Sequence, residues 1–143
     1  MGRIVFLVLL VIGIPAAAQR DGEGSALAAF ASRAGIAETA AFVETVQSLR
    51  AERRLPSRYV RKPEARAAGW HGGGLCSILP GHVIGGDAFN NFGGQLPAAP
   101  GRGYREADLD PTCRERGAKR LIFSNDGLIF VTTDHYRTFT RVP

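Results

Sequence analysis

The 143-residue sequence has few of the residues that carry common metal and cofactor chemistry. It contains two cysteines and three histidines, and no group of them has the spacing of a zinc site. No glycine-rich phosphate-binding motif follows a predicted strand, and there is no internal repeat or long low-complexity tract. We therefore expect no metal and no cofactor, and the length favours one main domain.

Long hydrophobic runs are also scarce, and the one that exists lies near the N-terminus. Residues 4–14 are apolar and follow Arg3, but the run is too short to span a bilayer comfortably. Small residues follow at positions 16–18, so we predict a secretory signal peptide over residues 1–18 with cleavage before Gln19. The alternative is an N-terminal membrane anchor. The signal predicts export, either to the medium or to a periplasm, with no membrane attachment after its removal.

Acidic residues are outnumbered by basic ones. The formal net charge is +5, and the loss of Arg3 with the signal peptide leaves +4. A small, basic, exported protein tends to meet polyanions such as nucleic acid. In an exported chain the two cysteines, Cys76 and Cys113, favour one disulfide over two buried free thiols.

Helical patterns precede strand patterns along the chain. Residues 19–36 are predicted to be an N-terminal extension or pro-segment, with a short helix that Ser25 caps and Gly35 ends. Within the main domain, residues 37–143, an apolar stripe at i, i+4 and i+7 predicts a helix over 38–53. Pro63 predicts a second, short helix after Lys62.

Five strand patterns follow these helices, at residues 83–89, 103–109, 120–124, 128–133 and 138–141. The run NDG at residues 125–127 predicts a hairpin turn between the third and the fourth. This order predicts an α+β fold, in which N-terminal helices pack on an antiparallel sheet.

One predicted strand carries an unusual polar face. Arg102, Tyr104, Glu106 and Asp108 alternate along it, so they share one side of the sheet. A face with two carboxylates cannot be the core-facing side of an ordinary sheet, so it is either solvated or part of a site.

Further polar residues lie beyond this strand. Arg116 and Arg120 are spaced so that two guanidinium groups can converge on a phosphate, although two surface arginines would have the same spacing. His135 follows a strand end and can act as an acid or a base near neutral pH.

These motifs, in this order, resemble the barnase-like family of guanyl-preferring bacterial ribonucleases. The similarity runs from Leu55 to the C-terminus. Its matching runs are GW at 69–70, IGGD at 84–87, READ at 105–108, the arginine pair, and TTDHY at 132–136. The resemblance implies the microbial ribonuclease fold, with an RNA groove on the open face of the sheet.

The resemblance also implies a mechanism of RNA cleavage. Glu106 takes the proton from the ribose 2′-OH, and His135 protonates the departing 5′-oxygen, which leaves a 2′,3′-cyclic phosphate. Three cations hold the phosphate: Lys62, Arg116 and Arg120.

Substrate contacts are implied for a second set of residues. Asp108 orients the arginines and Tyr136 lies against the bound base. The remaining positions are Arg102 and the loop residues Asn90, Asn91 and Phe92.

Two features depart from the family pattern. The base-binding loop of the family reads Asn-Arg-Glu, but here Asn91 is followed by Phe92 and Gly93. The carboxylate that contacts guanine is therefore missing, and we predict guanine preference with relaxed selectivity. The second departure is the cysteine pair, which should affect stability rather than mechanism.

The predicted partner is single-stranded RNA. DNA lacks the 2′-OH and is not expected to be a substrate. An acidic, barstar-like protein inhibitor is a further expected partner, and the protein is expected to be a monomer. The alternatives to an endoribonuclease are a non-catalytic secreted RNA-binding protein on the same scaffold and a basic adhesion module.

Overall fold

The structure, a computed structural model, describes residues 16–143. The predicted signal peptide lies outside these residues except for positions 16–18, which begin the first helix. In chain order the elements are α1 (Ala16–Arg33), α2 (Thr39–Glu52), β1 (Tyr59–Val60), α3 (Lys62–Ala67), β2 (Val83–Phe89), β3 (Tyr104–Asp108), β4 (Arg120–Ser124), β5 (Ile129–Thr132) and β6 (Thr140–Arg141). Among residues 16–143, no helix combines the length and the apolar character needed to cross a membrane.

Helix α1 is longer than the short helix predicted to start at Ser25. Ser25 lies inside it, and the hydroxyl donates a 3.0 Å hydrogen bond to the carbonyl of Asp21, one turn back. The prediction that Ser25 caps the helix is therefore wrong, because its oxygen serves a carbonyl within the helix and not the orphan N–H groups at its start. Gly35 ends the helix as predicted, at φ 72°, and the N–H of Ile36 donates to the carbonyl of Ala31.

The main core lies between the two N-terminal helices and one face of the sheet. Leu27 and Phe30 of α1 are buried together with Phe42 and Val46 of α2, and the two phenylalanine rings stack with centroids 5.8 Å apart. The sheet contributes the buried side chains Ala107, Leu121, Ile129 and Val131. The predicted extension, residues 19–36, thus supplies part of the core through the second half of α1.

The six strands follow sequence order across the sheet, from β1 to β6. Strands β2 to β6 are antiparallel, as predicted, and the NDG turn joins β4 to β5. Strand β1 was not predicted and runs parallel to β2. A parallel pair needs a crossover connection, and α3 with the following residues provides it. The structure therefore confirms an α+β fold with one parallel pair at the edge of the sheet.

A disulfide joins two loops at one end of the molecule. Cys76 and Cys113 are bonded, as predicted, with Cα atoms 5.0 Å apart. Beside it, the N–H of Gly74 donates to the carbonyl of Arg114 (3.0 Å). A Cβ at Gly74 would lie 2.4 Å from the carbonyl of Cys113, so this close approach requires glycine.

Candidate active site

The polar face of β3 is buried rather than solvated. Ala107 points to the main core, whereas Glu106 and Asp108, on its two sides along the strand, point to the opposite face. The relative exposure of Glu106 is 7 % and that of Asp108 is 2 %. The solvated alternative for this face is therefore wrong. Buried carboxylates require partners, so the contacts of Glu106 and Asp108 show which chemistry this face can support.

Strand register brings further polar groups to this face. Asp87 of β2 is the Cα partner of Glu106, after an irregularity between Gly85 and Asp87 that shifts the register. On the other side of β3, Arg120 of β4 is the partner of Asp108. Residues from three neighbouring strands therefore meet around two carboxylates.

Glu106 accepts one hydrogen bond on each carboxylate oxygen. Lys62 Nζ donates to Oε1 over 2.9 Å, and the hydroxyl of Tyr136 donates to Oε2 over 2.6 Å. Burial favours the neutral acid and raises the pKa of Glu106, but these two hydrogen bonds and the charges of Lys62 and Arg116 outweigh it. The net result is a pKa below the ordinary glutamate value, so Glu106 is a carboxylate at neutral pH.

The start of helix α3 positions Lys62. Its backbone N–H donates to Oδ2 of Asp87 over 3.0 Å, and the preceding N–H, of Arg61, donates to Oε2 of Glu64 over 2.9 Å. These bonds satisfy N–H groups that a helix start leaves without partners. Asp87 therefore links the lysine to the strand next to Glu106. Sequence reasoning did not find this role, because the two residues are far apart in the chain and no local pattern connects them.

Asp108 organises the two predicted phosphate-binding arginines. Arg116 makes a bidentate pair with it, from Nε over 2.8 Å and from Nη2 over 2.7 Å, and this hydrogen bonding raises the pKa of Arg116. Arg120 Nε lies 3.1 Å from Oδ1 of Asp108 in an ion pair. The Nε–H of Arg120 is nevertheless not aligned for a hydrogen bond, and it is a buried donor without a partner among residues 16–143.

The loop that carries His135 is held in an unusual conformation. His135 and Tyr136 have φ angles of 56° and 69°, in the left-handed region that non-glycine residues rarely adopt. Asp134 stabilises this loop by accepting hydrogen bonds from Thr132 Oγ1, from the backbone of Arg137, and from both the backbone and the hydroxyl of Thr138. His135, in this loop, is exposed.

Sequence reasoning assigned no role to Asp134, although a signal was present. An aspartate that precedes a loop commonly accepts hydrogen bonds from backbone N–H groups just ahead of it. Two backbone N–H bonds and two hydroxyl bonds lower the pKa of Asp134 to about 2, chiefly through Thr138.

Tyr136 connects the parts of the site. Its ring stacks on Phe89, with centroids 5.5 Å apart, and lies 4.9 Å from the ring of His135. The guanidinium carbon of Arg120 is 6.0 Å from the centre of the same ring. Burial and the hydrogen bond to Glu106 raise the pKa of Tyr136 to about 12, so its hydroxyl remains a donor at neutral pH.

The predicted base-binding loop follows β2 and begins next to Phe89. The side-chain amide of Asn91 makes two hydrogen bonds with the backbone of Leu96. It donates to the carbonyl of Leu96 over 2.7 Å and accepts from the N–H of Leu96 over 3.1 Å. The neighbouring Asn90 is exposed, and Phe92 is 92 % exposed. An aromatic ring left in solvent, next to a folded loop, is available to stack on a flat ligand.

Most of the sequence-predicted site residues lie in one connected network. Contacts join seven of them: Lys62, Glu106, Asp108, Arg116, Arg120, His135 and Tyr136. Among these seven, three cations face two carboxylates, and Asp87, which accepts from the backbone N–H of Lys62, adds a third carboxylate beside them. Arg102 lies apart from it, since its guanidinium pairs with Asp126 and donates to the carbonyl of Pro97.

The arrangement offers acid–base and electrostatic chemistry. Within residues 16–143, no group of three His, Cys, Asp or Glu side chains is placed to hold a metal ion. The network does contain a buried carboxylate at neutral pH, an exposed imidazole, and three cations that could bind an anion.

The chain is similar in sequence to known bacterial ribonucleases. A sequence model of a family described as ribonuclease matches residues 43–143. The ribonuclease of Bacillus intermedius and that of Bacillus pumilus are each 50% identical over 92 residues, which is 63% of this chain and 57% of each relative. The ribonuclease of Heyndrickxia coagulans is 49% identical over 92 residues, or 84% of its length. The chain thus spans little more than half the length of the two Bacillus relatives.

Proposed function

The chain belongs to the ribonuclease family, and from that premise we propose that it is a secreted endoribonuclease that cleaves single-stranded RNA to a 2′,3′-cyclic phosphate. The observation that carries the proposal is the environment of Glu106. A buried carboxylate that stays charged between Lys62 and Tyr136 is in the protonation state that a general base needs, which supports this role for Glu106.

The proposed reaction is a transesterification within the RNA strand. Glu106 takes the proton of the ribose 2′-OH, and the 2′-oxygen attacks the adjacent phosphorus. The bond from phosphorus to the 5′-oxygen breaks, and His135 gives its proton to that oxygen. The products are a 2′,3′-cyclic phosphate and a free 5′-hydroxyl, and the two catalytic residues exchange protonation states. The exposure of His135 suits a group that must reach a leaving strand.

The cations would stabilise the additional negative charge on the phosphate in the transition state. Lys62, Arg116 and Arg120 surround the two carboxylates, so their positive charges lie together on this face of the sheet. Asp108 holds both guanidinium groups in place before substrate binds, so little reorganisation is needed during the reaction. These fixed charges supply the electrostatics without a metal ion.

The bound base would lie near Tyr136 and the loop of residues 90–97. The stacked pair of Phe89 and Tyr136 and the exposed ring of Phe92 provide aromatic surface on this side. Base stacking on aromatic rings is largely independent of base identity, so we propose guanine preference with relaxed selectivity. Arg102, held by Asp126, would act through loop structure and not at the phosphate.

The remaining proposals concern export, domain organisation, oligomeric state and a protein partner. The sequence at residues 1–18 supports export through a signal peptide, with residues 19–36 as an extension of the ribonuclease domain at 37–143. We also propose a monomer, and a basic RNA-binding face that suits an acidic, barstar-like inhibitor.

One assay tests the central proposal. The refolded mature protein is incubated with a short single-stranded RNA and with its DNA counterpart, in excess chelator. We expect RNA cleavage with a 2′,3′-cyclic phosphate terminus by mass spectrometry, and no DNA cleavage. Binding of RNA without any cleavage would favour the non-catalytic alternative. Activity that required a divalent ion would contradict the metal-free mechanism.

A further inference from the structure

A second arginine-rich groove lies on the helix side of the sheet, away from Glu106. Its volume is about 590 Å³, within the range of small-molecule sites. Its lining includes the apolar side chains of Ala88, Phe123 and Ile129. The lining also carries three arginines: Arg50, Arg53 and Arg105.

Strand register accounts for the position of this groove. Arg105 is the Cα partner of Ala88 on one side and of Phe123 on the other, and Phe123 is the partner of Ile129. These four residues form one row across the sheet. Because side chains alternate along a strand, Arg105 points to the opposite face from Glu106, its neighbour in sequence.

Two of the arginines have no carboxylate partner among residues 16–143. Arg105 donates once, to the carbonyl of Gly86 over 2.7 Å. Arg53 reaches over the β4–β5 hairpin, with Nη1 2.6 Å from the position that a Cβ of Gly127 would occupy, and its side chain makes no hydrogen bond within the described chain. Arg50 differs, because it forms an ion pair with Glu23.

The acidic residue in the lining does not neutralise these arginines. Asp126 is already paired with Arg102 and also accepts a hydrogen bond from Ser124. Arg50 and Arg53 lie near the C-terminal end of α2, where cations complement the helix dipole. That reason does not extend to Arg105, which belongs to a strand, so the groove gathers more positive charge than the helix end accounts for.

The groove reaches the end of β2, from which the proposed base-binding loop continues. Ala88 lies in the groove, and the next residue, Phe89, lies on the site face, where it stacks on Tyr136. Tyr104, which also lines the groove, donates its hydroxyl to the carbonyl of Pro97 in the loop. RNA bound at the loop would have to pass around this end of the sheet to reach the arginines.

We propose that this groove binds a phosphate-bearing nucleotide of single-stranded RNA that flanks the cleaved bond. The inference rests on the proposed ribonuclease function, because that function supplies the ligand. The guanidinium groups in the lining suit phosphate oxygens, and the apolar part of the lining, with Phe123, suits a base. The groove would increase affinity for longer RNA without taking part in the reaction.

The test measures RNA binding in a Glu106→Gln background, which prevents cleavage. Arg105→Ala and Arg53→Gly are made separately, and glycine suits the φ of 58° at position 53. Binding of a fluorescent decauridylate is followed by anisotropy at several salt concentrations. Each substitution should weaken binding about fivefold at low salt. Each should also reduce the slope of log affinity against log salt by about 0.7, the value for one phosphate contact on a single strand.

Arg33→Ala is the matched control, because Arg33 is exposed and lies in α1, outside the groove. Arg33→Ala removes one positive charge, as the groove variants do. It should change the decauridylate affinity and the salt slope much less than they do, because only the net charge of the protein is altered. Equal effects of the control and the two groove variants would overturn the proposal, provided that all three melt at the wild-type temperature. Arg53 follows α2 and Arg105 lies in β3, so if one of the two variants is unstable, the other still tests the proposal.

Two further measurements complete the test. The first distinguishes an RNA strand from a free nucleotide or phosphate as the ligand, and the second distinguishes failure of the groove proposal from failure of the proposed function. Adenosine monophosphate and inorganic phosphate are titrated against the same variants; arginine-dependent binding of either, as tight as that of decauridylate, would contradict an RNA-strand site. Cleavage by the protein with Glu106 intact is measured independently. If the wild type cleaves RNA but Arg105→Ala and Arg53→Gly bind decauridylate as tightly as their parent, the groove proposal alone is refuted. Arginine-dependent binding with no cleavage refutes the proposed enzyme and leaves the groove.

Discussion

The hydroxyl of Tyr136 donates a 2.6 Å hydrogen bond to Oε2 of Glu106, and this contact ties the protonation state of the candidate base to the loop that carries His135. Burial alone would raise the pKa of Glu106 and leave it a poor base in weakly acidic solution. The bonds from Tyr136 and Lys62 reverse that effect. In the proposed mechanism this loop would therefore supply the acid, His135, and also keep the base, Glu106, charged.

The first prediction is that Tyr136→Phe shifts the acid limb of the pH–rate profile. The substitution removes one of the hydrogen bonds that lower the pKa of Glu106, so this pKa should rise and activity should be lost at a higher pH as solutions become more acidic. The measurement is kcat/KM from pH 3 to pH 7. Tyr104→Phe is the control, because its hydroxyl contacts Pro97 and not a carboxylate. An unmoved acid limb in Tyr136→Phe would show that Glu106 is not the base or that the bond is not made.

The same contacts link pH to stability. A carboxyl group whose pKa is lower in the folded state stabilises the fold above its unfolded pKa, and this contribution is lost as the pH falls through the folded pKa. Glu106 and Asp110 both have lowered pKa values. Asp110 is held by Lys119 and by the backbone N–H groups of Ala37 and Glu38. Unfolding should therefore become easier below about pH 4, the region of ordinary carboxyl titration.

The second prediction concerns the two residues that are proposed to act as base and acid. Glu106→Ala and His135→Ala should each lower the rate of RNA cleavage at least ~100-fold, the usual scale of lost general acid–base catalysis. His82→Ala is a matched control, because His82 is an exposed histidine whose ring contacts the carbonyl of Pro80. Near-full activity in His135→Ala would refute the proposed mechanism.

The third prediction concerns the disulfide. Its loss in the double variant Cys76→Ser/Cys113→Ser should lower the free energy of unfolding by roughly 4 kcal/mol in the chain-entropy account, and Tm by on the order of 10 °C. Cleavage measured below the new Tm should persist, because neither cysteine contacts Glu106, Tyr136 or Lys62. Differential scanning calorimetry of the wild type with and without reductant provides the comparison. An unchanged Tm on complete reduction would contradict it.

Much of the fold was predictable because its signals are local. The apolar stripe of α2, the NDG turn and the proline that begins α3 depend on neighbours within one turn. Strand β1 was missed because a two-residue strand has no measurable alternation, and its partner lies beyond a crossover. Ser25 was misassigned because a serine can cap a helix or bond back within one, and only the length of α1 distinguishes the two.

The candidate site was predictable in its residue types and less so in its contacts. Alternation along β3 placed Glu106 and Asp108 on one face, and the structure agrees. The same rule also grouped Arg102 with them, but Arg102 precedes the strand and pairs with Asp126 of the hairpin. The role of Asp87 could not be predicted for a different reason. Its hydrogen bond to the backbone of Lys62 depends on how two segments that are distant in sequence pack together.

The fourth prediction concerns base choice, at the position where this loop lacks a carboxylate. Guanine presents N1–H and N2–H₂ donors, and a carboxylate is a strong acceptor for them because charge-assisted hydrogen bonds are about twice as strong as neutral ones. Gly93 offers no acceptor, and Phe92 can stack on any base. We therefore expect appreciable cleavage after adenine as well as after guanine.

Gly93→Glu should restore discrimination, because the loop has room for the new side chain. A Cβ at Gly93 would meet Oε1 of Gln95 at 3.5 Å, an ordinary contact, and the backbone there is outside the left-handed region. One charged contact should add roughly 1.5–3 kcal/mol, or about one to two orders of magnitude, to the ratio of kcat/KM for the dinucleotides GpN and ApN. Gly93→Gln is the matched control, since it has the same length without the charge and should give a smaller gain. A wild-type protein that already cleaved only after guanine would mean that another group, such as Gln95, supplies the acceptor. In that case Gln95→Ala, and not Gly93→Glu, would change the ratio.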